Sequence, residues 1–370
     1  MRFWRGVSVS LSGGALLAAA ALAGVCLTGC ANIGYYWQSA TGHLQMINAA
    51  RPIDDWLADP QAPDVLKARL ALSQRIRTFA SQQLALPDNP SYRRYADLHR
   101  TAVVWNVVAA PALSLTLKTW CFPVTGCVGY RGYFSEVDAQ AEAAVQKNAG
   151  LEVSVYGVPA YSTLGWMNWA GGDPLLSTFI NYPEGELARL IFHELAHQVV
   201  YASSDTTFNE SFATAVERLG GQRWLASEAP ESARRAYAVF NGRRQDFRAL
   251  ALATRQSLQS IYEPNTAVAQ VFTASDAMKS EAKAVVMQKF RADYAALKTQ
   301  WGGFAGYDAW VAKANNASFG AQAAYDELVP GFEALFERTG RSWPRFYDAV
   351  KALAALPQAE RRTALISPDH

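Results

Sequence analysis

Residues 183–217 read PEGELARLIFHELAHQVVYASSDTTFNESFATAVE and contain two of the five histidines in this 370-residue chain. Pro183 suits the first turn of a helix because its φ angle is fixed and it lacks an N–H group. An apolar stripe follows at helical spacing, formed by Leu187, Leu190, Ile191, Leu195 and Val199. The sequence therefore predicts a helix that runs from near Pro183 to about Tyr201.

Two histidines and an acid share this predicted helix. His193 and His197 are four residues apart, and Glu194 directly follows the first of them. Residues four apart lie on one helix face, so both imidazoles can bind one metal ion while Glu194 lies beside it. This pattern suits zinc, which in catalytic sites has three protein ligands and one open position for water. Zinc is the predicted cofactor, and a third ligand is required.

The third ligand is expected on the next helix, which the sequence predicts to begin at Thr206 or Thr207. Glu210 is the first candidate. It also has the spacing of a capping box with Thr207, in which its carboxylate would only reach back to a backbone amide. Glu217 lies two turns further along the same face, and it is either the ligand or a residue that orients a histidine.

The predicted chemistry is hydrolysis by a zinc-activated water. Zinc lowers the pKa of this water, and Glu194 is the expected general base, which takes the proton and later passes it to the leaving amine. A further donor to the oxyanion is expected from a tyrosine, with three candidates: Tyr156, Tyr161 and Tyr201. Four acids are candidates for holding a substrate amine: Glu136, Glu152, Asp173 and Asp205.

The first residues of the chain have the features of an export signal. Arg2 and Arg5 precede small and apolar residues from about position 8 to position 25, and Leu27-Thr28-Gly29-Cys30 follows. These last four residues resemble the bacterial lipobox. Residues 1–29 are therefore a predicted lipoprotein signal peptide.

Cys30 is the predicted lipidation site, and its lipid would be the contact with the membrane. An ordinary signal peptide or an uncleaved anchor helix is the alternative. Since Ala31 and not an aspartate follows the cysteine, we expect a lipid-anchored protein of the bacterial cell envelope, in the outer membrane and facing the periplasm.

Cys121 and Cys127 are the two cysteines that remain in an exported chain once Cys26 is removed and Cys30 is lipidated. An oxidising compartment favours their pairing. Pro123 and Gly126 between them can turn the chain back on itself. We therefore expect a disulfide, with two free buried thiols as the alternative.

Charge and composition exclude two classes of protein. The chain has 34 Lys and Arg against 32 Asp and Glu, and removing Arg2 and Arg5 with the signal leaves 32 of each. With no basic excess, nucleic acid is not an expected partner. The chain is 50% hydrophobic and only 18% charged, so it is not predicted to be disordered.

The predicted fold is α+β and mainly α-helical, with a small β-sheet beside the zinc helix. Residues 103–117 form either a core strand or a buried helix, and residues 151–155 alternate like a strand. Residues 137–147 are expected to be helical. One domain covers residues 30–370, with three parts: a helical N-terminal part (about 31–118), a zinc-site core (about 119–220) and a helical C-terminal part (about 221–370).

His193-Glu194-x-x-His197, followed by Asn209-Glu210, resembles the zincin metallopeptidases in which a glutamate is the third zinc ligand. The spacing departs from the best-known members, because only twelve residues separate His197 from Glu210. Glu217 lies at the thermolysin-like distance but lacks a preceding Asn. The resemblance implies a zincin-like core and leaves both glutamates as candidate ligands.

Three further stretches resemble a bacterial family of predicted lipoprotein aminopeptidases: the lipobox, residues 120–134 and residues 156–166. This resemblance implies a zinc aminopeptidase whose substrate is a peptide. The alternatives are a zinc endopeptidase acting on envelope proteins and a non-catalytic, lipid-anchored binding or structural lipoprotein. The sequence leaves the oligomeric state open.

Overall fold

The computed structural model describes most of the chain, in the ranges 34–122, 126–160, 162–263, 275–323 and 327–366. The predicted signal peptide, Cys30 and Tyr161 lie outside these described residues. The chain divides into two compact units, Met1–Gln45 and Met46–His370. Helix α1, residues 34–49, contains every described residue of the first unit.

None of the described helices combines the length and the apolar character that crossing a membrane requires.

The second unit is mainly helical. Its described helices are α2 (Ile53–Ala58), α3 (Asp64–Leu84), α4 (Glu136–Asn148), α5 (Glu184–Ala196), α6 (Thr206–Ser227), α7 (Glu231–Tyr262), α8 (Asp276–Gln300), α9 (Asp308–Lys313), α10 (Asn316–Ala323), α11 (Val329–Arg338), α12 (Trp343–Ala354) and α13 (Gln358–Ile366). A 3₁₀ turn, Asn168–Ala170, precedes α5 in the chain.

The described strands are short and form small sheets. They are β1 (Arg51–Pro52), β2 (Arg94–Ala96), β3 (Val104–Pro111), β4 (Trp120–Phe122), β5 (Gly126–Val128), β6 (Arg131–Tyr133), β7 (Leu151–Val158) and β8 (Leu175–Leu176). One sheet has the order β1-β2-β8, another has the order β6-β3-β7, and β4 and β5 form a hairpin. The pair of β2 and β8 is parallel, and the other described pairs are antiparallel.

Strand β3 is the middle of its sheet. Its apolar run is buried, which is typical of a strand covered on both faces. Asn106 lies opposite Tyr156 on β7, and Val107 lies opposite Val155. Helices α4 and α10 pack on this strand pair, so β7 is held in place along its whole length.

The main core joins α5 and α6 to other helices, among them α3, α11 and α12. Its buried aromatic side chains include Phe79, Phe192, Phe212, Phe332 and Phe346. Each such ring contributes roughly 1.5–3 kcal/mol on burial. A second core lies between α7 and α8 and contains Phe247, Leu258 and Phe290.

The predicted fold class, α+β and mainly helical, is confirmed. Residues 103–117, for which the sequence left strand and helix open, form the strand Val104–Pro111. The N-terminal part, 31–118, was predicted to be helical, but it also contains β1, β2 and β3. Strands form here because β2 pairs with β8 and β3 pairs with β7, and both partner strands lie much later in the chain. The zincin-like arrangement of the core stays a prediction.

Candidate metal and catalytic centre

Helices α5 and α6 form an antiparallel hairpin, and each has a buried apolar face. Leu187, Ile191 and Leu195 of α5 are fully buried, as are Phe208 and Phe212 of α6. The α5 stripe agrees with the 3.6-residue period expected for the helix after Pro183. A different face of each helix makes the polar contacts across the hairpin, where Arg189 and His193 meet Glu217.

The turn between the two helices differs from the predicted one. Helix α5 ends at Ala196, not at Tyr201, so His197 occupies the C-cap position while keeping helical φ and ψ angles. The N-cap of α6 is Asp205, which accepts a hydrogen bond from the backbone N–H of Phe208 at 3.1 Å. The capping box proposed for Thr207 and Glu210 is therefore not formed, and Glu210 is left to face the histidines.

Asn209 closes this turn. Its side-chain Oδ1 accepts from the backbone N–H of Ala202 at 2.7 Å, and its Nδ2 donates to the carbonyl of the same residue at 2.8 Å. A buried amide that satisfies both backbone groups of one residue holds the turn in one geometry. Asn209 thereby places Glu210, its neighbour on α6.

His193, His197 and Glu210 form a group that could bind a metal ion, with one ligand atom of each within 4.8 Å of the others. The Nε2 atoms of the two histidines are 3.1 Å apart. Oε2 of Glu210 is 3.3 Å from Nε2 of His193 and 3.7 Å from Nε2 of His197. Ligand atoms roughly 2.0–2.1 Å from one tetrahedral zinc ion lie about 3.3 Å from each other, so the three residues fit such an ion.

The two histidines have different electrostatic surroundings. Burial lowers the pKa of His197 to about 4. Burial also acts to lower the pKa of His193, but hydrogen bonds to Glu210 and Glu217 raise it well above its usual value. For Glu210, burial acts to raise the pKa, and the neighbouring charges of His197 and His193 hold it below the ordinary value. Glu210 is therefore an anionic carboxylate, as metal coordination requires.

Glu217 lies behind His193. Its Oε2 is 3.0 Å from Nδ1 of His193, the ring nitrogen that does not face Glu210, and its other oxygen pairs with Arg189. Burial acts to raise the pKa of Glu217, but Arg189 and the hydrogen bond to His193 hold it well below its usual value. The position fits a carboxylate that orients a ligand imidazole and fixes its tautomer.

A chain of ion pairs leads from Glu217 through Arg189 and Glu186 to Arg244 of α7. Arg189 lies 3.8 Å from Glu186, which pairs at 2.6 Å with Arg244. We call Arg189, Glu186, Glu217 and Arg244 the Glu217 cluster. Every one of its charges has an opposite charge beside it, as buried ions require.

Glu194 is the candidate general base and directly follows His193. It is half-buried, and burial raises its pKa to about 7, with His193 acting to lower it and Glu210 and Asp173 acting to raise it. A carboxyl group with a pKa near neutrality can both take and return a proton at neutral pH.

Two of the three candidate tyrosines lie near Glu210. Burial raises the pKa of Tyr156 to about 12, opposed by a hydrogen bond with Asn106 and aided by the charge of Glu210. The pKa of Tyr201 is also raised, mainly by burial and to a smaller extent by the charge of Glu210. Both tyrosines thus remain candidates for the oxyanion donor.

The four acids considered for the substrate α-amine have other positions. Glu152 pairs with Lys283, Asp205 pairs with Arg361 at 3.1 Å, and Glu136 lies in the first turn of α4. Asp173 is fully buried, and both of its oxygens accept from the backbone N–H of Thr163 at 3.1 Å. None of the four is presented as an open carboxylate beside the metal-capable group.

A second polar cluster was not foreseen from the sequence. We call it the Gln198 cluster: Asn89, Ser91, Asn168, Asp173 and Gln198. Gln198 donates from Nε2 to Ser91 Oγ at 3.2 Å and accepts from Asn89 at 2.7 Å. Ser91 also donates to Asn168 at 3.1 Å. These bonds fix the loop 162–173 to the end of the helix that carries the histidines.

Gly172 allows this close approach. Its φ angle is +68°, and a Cβ atom there would lie 2.5 Å from the backbone nitrogen of Ser91. Any other residue would be strained and would clash with backbone. The close contact is with Ser91, about eighty positions earlier in the chain. The residues next to Gly172 in the sequence therefore gave no sign of it.

A disulfide joins Cys121 and Cys127 and closes the β4–β5 hairpin. This hairpin contacts the turn between α5 and α6, where the backbone N–H of Cys127 donates to Ser204 Oγ at 3.1 Å. Gly126 has a φ angle of +73°, and a Cβ atom there would meet the side chains of both Ser203 and Ser204. The hairpin thus supports the turn that separates the candidate ligands.

Comparison with known protein families identifies the family of this chain. A family model described as "Putative aminopeptidase" matches residues 34–365. The chain belongs to this family. The match contains both helices of the centre and both polar clusters, and the family description supports a peptidase. No curated protein and no solved structure matched the chain.

Proposed function

We propose that this member of the putative aminopeptidase family is a zinc-dependent aminopeptidase. One observation carries the proposal: two imidazole Nε2 atoms and the half-buried carboxylate of Glu210 converge within 4.8 Å, with Glu194 adjacent in sequence. His193, His197 and Glu210 would hold the ion. Three protein ligands match a catalytic zinc site with an open position, whereas a structural site would have four.

Zinc, when bound, would act as a Lewis acid and lower the pKa of its water. Glu194 would take the proton of the attacking water and return it to the leaving amine. Glu217 would hold Nδ1 of His193 so that Nε2 faces the ion. Tyr156 or Tyr201 would donate to the developing oxyanion.

Exopeptidase action is proposed from the family description. No open acid for the substrate α-amine is presented by Glu136, Glu152, Asp173 or Asp205, as described above. A zinc endopeptidase that acts on envelope proteins is therefore the outcome against which the aminopeptidase must be tested.

We also propose that Cys30 carries the lipid and holds the protein on the outer membrane, facing the periplasm. The support is the lipobox-like Leu27-Thr28-Gly29-Cys30 after an apolar segment. The disulfide between Cys121 and Cys127 fits an oxidising compartment.

The test compares the wild-type protein with Glu194→Gln, which removes the base and keeps the shape of the side chain. Glu228→Gln, an exposed glutamate at the C-terminal end of α6, is the matched control. Bound metal is measured by elemental analysis, and cleavage is measured on peptides with free and with N-acetylated amino termini.

The proposal expects about one zinc ion in all three proteins and cleavage of free-amine peptides by the wild type and the control alone. Cleavage of acetylated peptides would instead establish an endopeptidase. Zinc without cleavage of any peptide would support the non-catalytic lipoprotein, and absence of any bound metal would refute the zinc site.

A further inference from the structure

Helix α1 exposes apolar and aromatic side chains to solvent. Trp37 is 71% exposed, Leu44 is 53% exposed and Tyr36 is 43% exposed. Trp37 and Leu44 are seven residues apart, so they lie on the same helix face, two turns from each other. We call Tyr36, Trp37 and Leu44 the α1 face.

This helix is also uncharged. Between Arg5 and Arg51 the chain contains no Asp, Glu, Lys or Arg, so all of α1 lacks them. Helix α4 provides the contrast, because its exposed Val137 and Val145 are accompanied by four charged residues: Glu136, Asp138, Glu142 and Lys147. A helix face in water normally carries charges of this kind, and the α1 face does not.

The proposed lipid site is very close to this helix. Three residues separate Cys30 from Gly34, where α1 begins. Even a fully extended chain covers only roughly 14 Å over that interval. A lipid inserted through Cys30 would therefore keep the first turn of α1, which contains Tyr36 and Trp37, near the headgroups.

We infer that the α1 face binds the surface of the phospholipid bilayer that holds the lipid of Cys30. Tryptophan and tyrosine favour this interface, since an apolar ring and one polar group suit a boundary between hydrocarbon and water. Because α1 lacks Lys and Arg, the contact needs no anionic lipid. The inference rests on the lipid anchor proposed above and is independent of peptidase activity.

The test uses the full-length protein as it matures in cells, reconstituted into phosphatidylcholine vesicles whose acyl chains carry bromine near the headgroup. Bromine quenches tryptophan fluorescence on contact. Trp37→Phe removes the reporter and keeps an apolar ring. Trp169→Phe is the matched control, because Trp169 is 83% exposed but lies on the loop 162–173.

The expected result is quenching in the wild type that Trp37→Phe abolishes and Trp169→Phe leaves unchanged. It should persist in high salt, since no basic residue contributes. Quenching that survives Trp37→Phe, or that Trp169→Phe removes equally, would overturn the inference. Circular dichroism of each variant shows that its fold is intact.

The intact mass of the same preparation separates this inference from the anchor. A lipid on Cys30 without quenching of Trp37 would overturn the α1 contact and leave the anchor standing. Quenching of Trp37 without a lipid on Cys30 would support the contact and refute the anchor. Absence of both would overturn both.

Discussion

On the His193 side of the candidate centre the polar groups are charged, whereas on the Gln198 side they are neutral apart from Asp173. The Glu217 cluster reaches a ring nitrogen of His193 through a carboxylate. Among the described residues, the hydrogen bonds of the Gln198 cluster named above reach no candidate ligand atom, and they fix the loop 162–173 instead. We therefore expect changes in the Glu217 cluster to alter metal affinity, and changes in the Gln198 cluster to alter mainly the stability of the fold.

The largest effect is expected at the proposed third ligand. Glu210→Gln keeps the size of the side chain and removes its negative charge, so metal affinity should fall by more than about a hundredfold, beyond the range for residues that only orient a ligand. Competition with a metal chelator measures this. If Glu217→Gln loses more affinity than Glu210→Gln, the assignment of ligand and orienting residue is reversed.

Removing the central cation of the Glu217 cluster should strongly lower stability. Arg189→Met leaves the carboxylate of Glu217 without its cation, whereas Glu186 keeps Arg244. Losing one partner of this largely buried pair costs about 3–5 kcal/mol in the free energy of unfolding. Urea denaturation measures it, with the exposed Arg223→Met as the control. Adding Glu217→Gln to Arg189→Met should restore part of the loss. A loss below about 1 kcal/mol would contradict the assigned role of Arg189.

Glu217→Gln alone should have a smaller effect on the metal. Glutamine still accepts a hydrogen bond from Nδ1 of His193, but without the charge that polarises the ring. We expect about 10–100-fold weaker metal binding and a proportional loss of activity. Isothermal titration of the metal-free protein with zinc tests this, and unchanged affinity would show that Glu217 does not act through His193.

Ser91→Ala tests the other side. It removes the hydroxyl that bonds Gln198 and Asn168, and we expect a loss of about 1–3 kcal/mol of stability with metal affinity unchanged. The same denaturation and titration experiments apply. A clear fall in metal affinity would show that the Gln198 cluster, like the Glu217 cluster, affects metal binding, and it would contradict the difference proposed between them.

The smallest effect concerns pH. Burial raises the pKa of Asp173 to about 6, while the hydrogen bonds from Thr163 oppose the rise. The folded state therefore favours the protonated acid, and this contribution to stability is complete below the unfolded pKa and is lost as pH rises through about 6. As pH rises from about 4 to about 7, Asp173→Asn should gain stability relative to the wild type, and the gain should level off at higher pH. Urea denaturation measures this. A constant difference would contradict the raised pKa.

The sequence could predict the parts of this centre that depend on local periodicity. The apolar stripe from Leu187 to Leu195 predicts the helix, and the spacing of His193 and His197 predicts that both imidazoles lie on one face, where they could bind a metal. The buried apolar run that became β3 was recognised as core, although its type was open. In each case a few neighbouring residues carry the signal.

What the sequence could not predict depends on contacts distant in the chain. The sequence left Glu217 as either a ligand or a residue that orients a histidine, and its pairing with Arg189 on the other helix was not predicted. Ser91 meets Gln198 only after the fold has formed, with 107 positions between them. Asn209 was considered only as part of a family pattern, and its bonds to Ala202 show that it closes the turn.

Under the proposed export, the β4–β5 hairpin would make maturation part of how the centre is built. The turn that carries Ser204 rests on a hairpin closed by Cys121 and Cys127. Thiols stay reduced in the cytosol and pair after export, so a newly synthesised chain would gain this support only on arrival in an oxidising compartment. Recombinant protein folded in a reducing cytosol would then lack it, and the two preparations should be compared before weak activity is attributed to the enzyme itself.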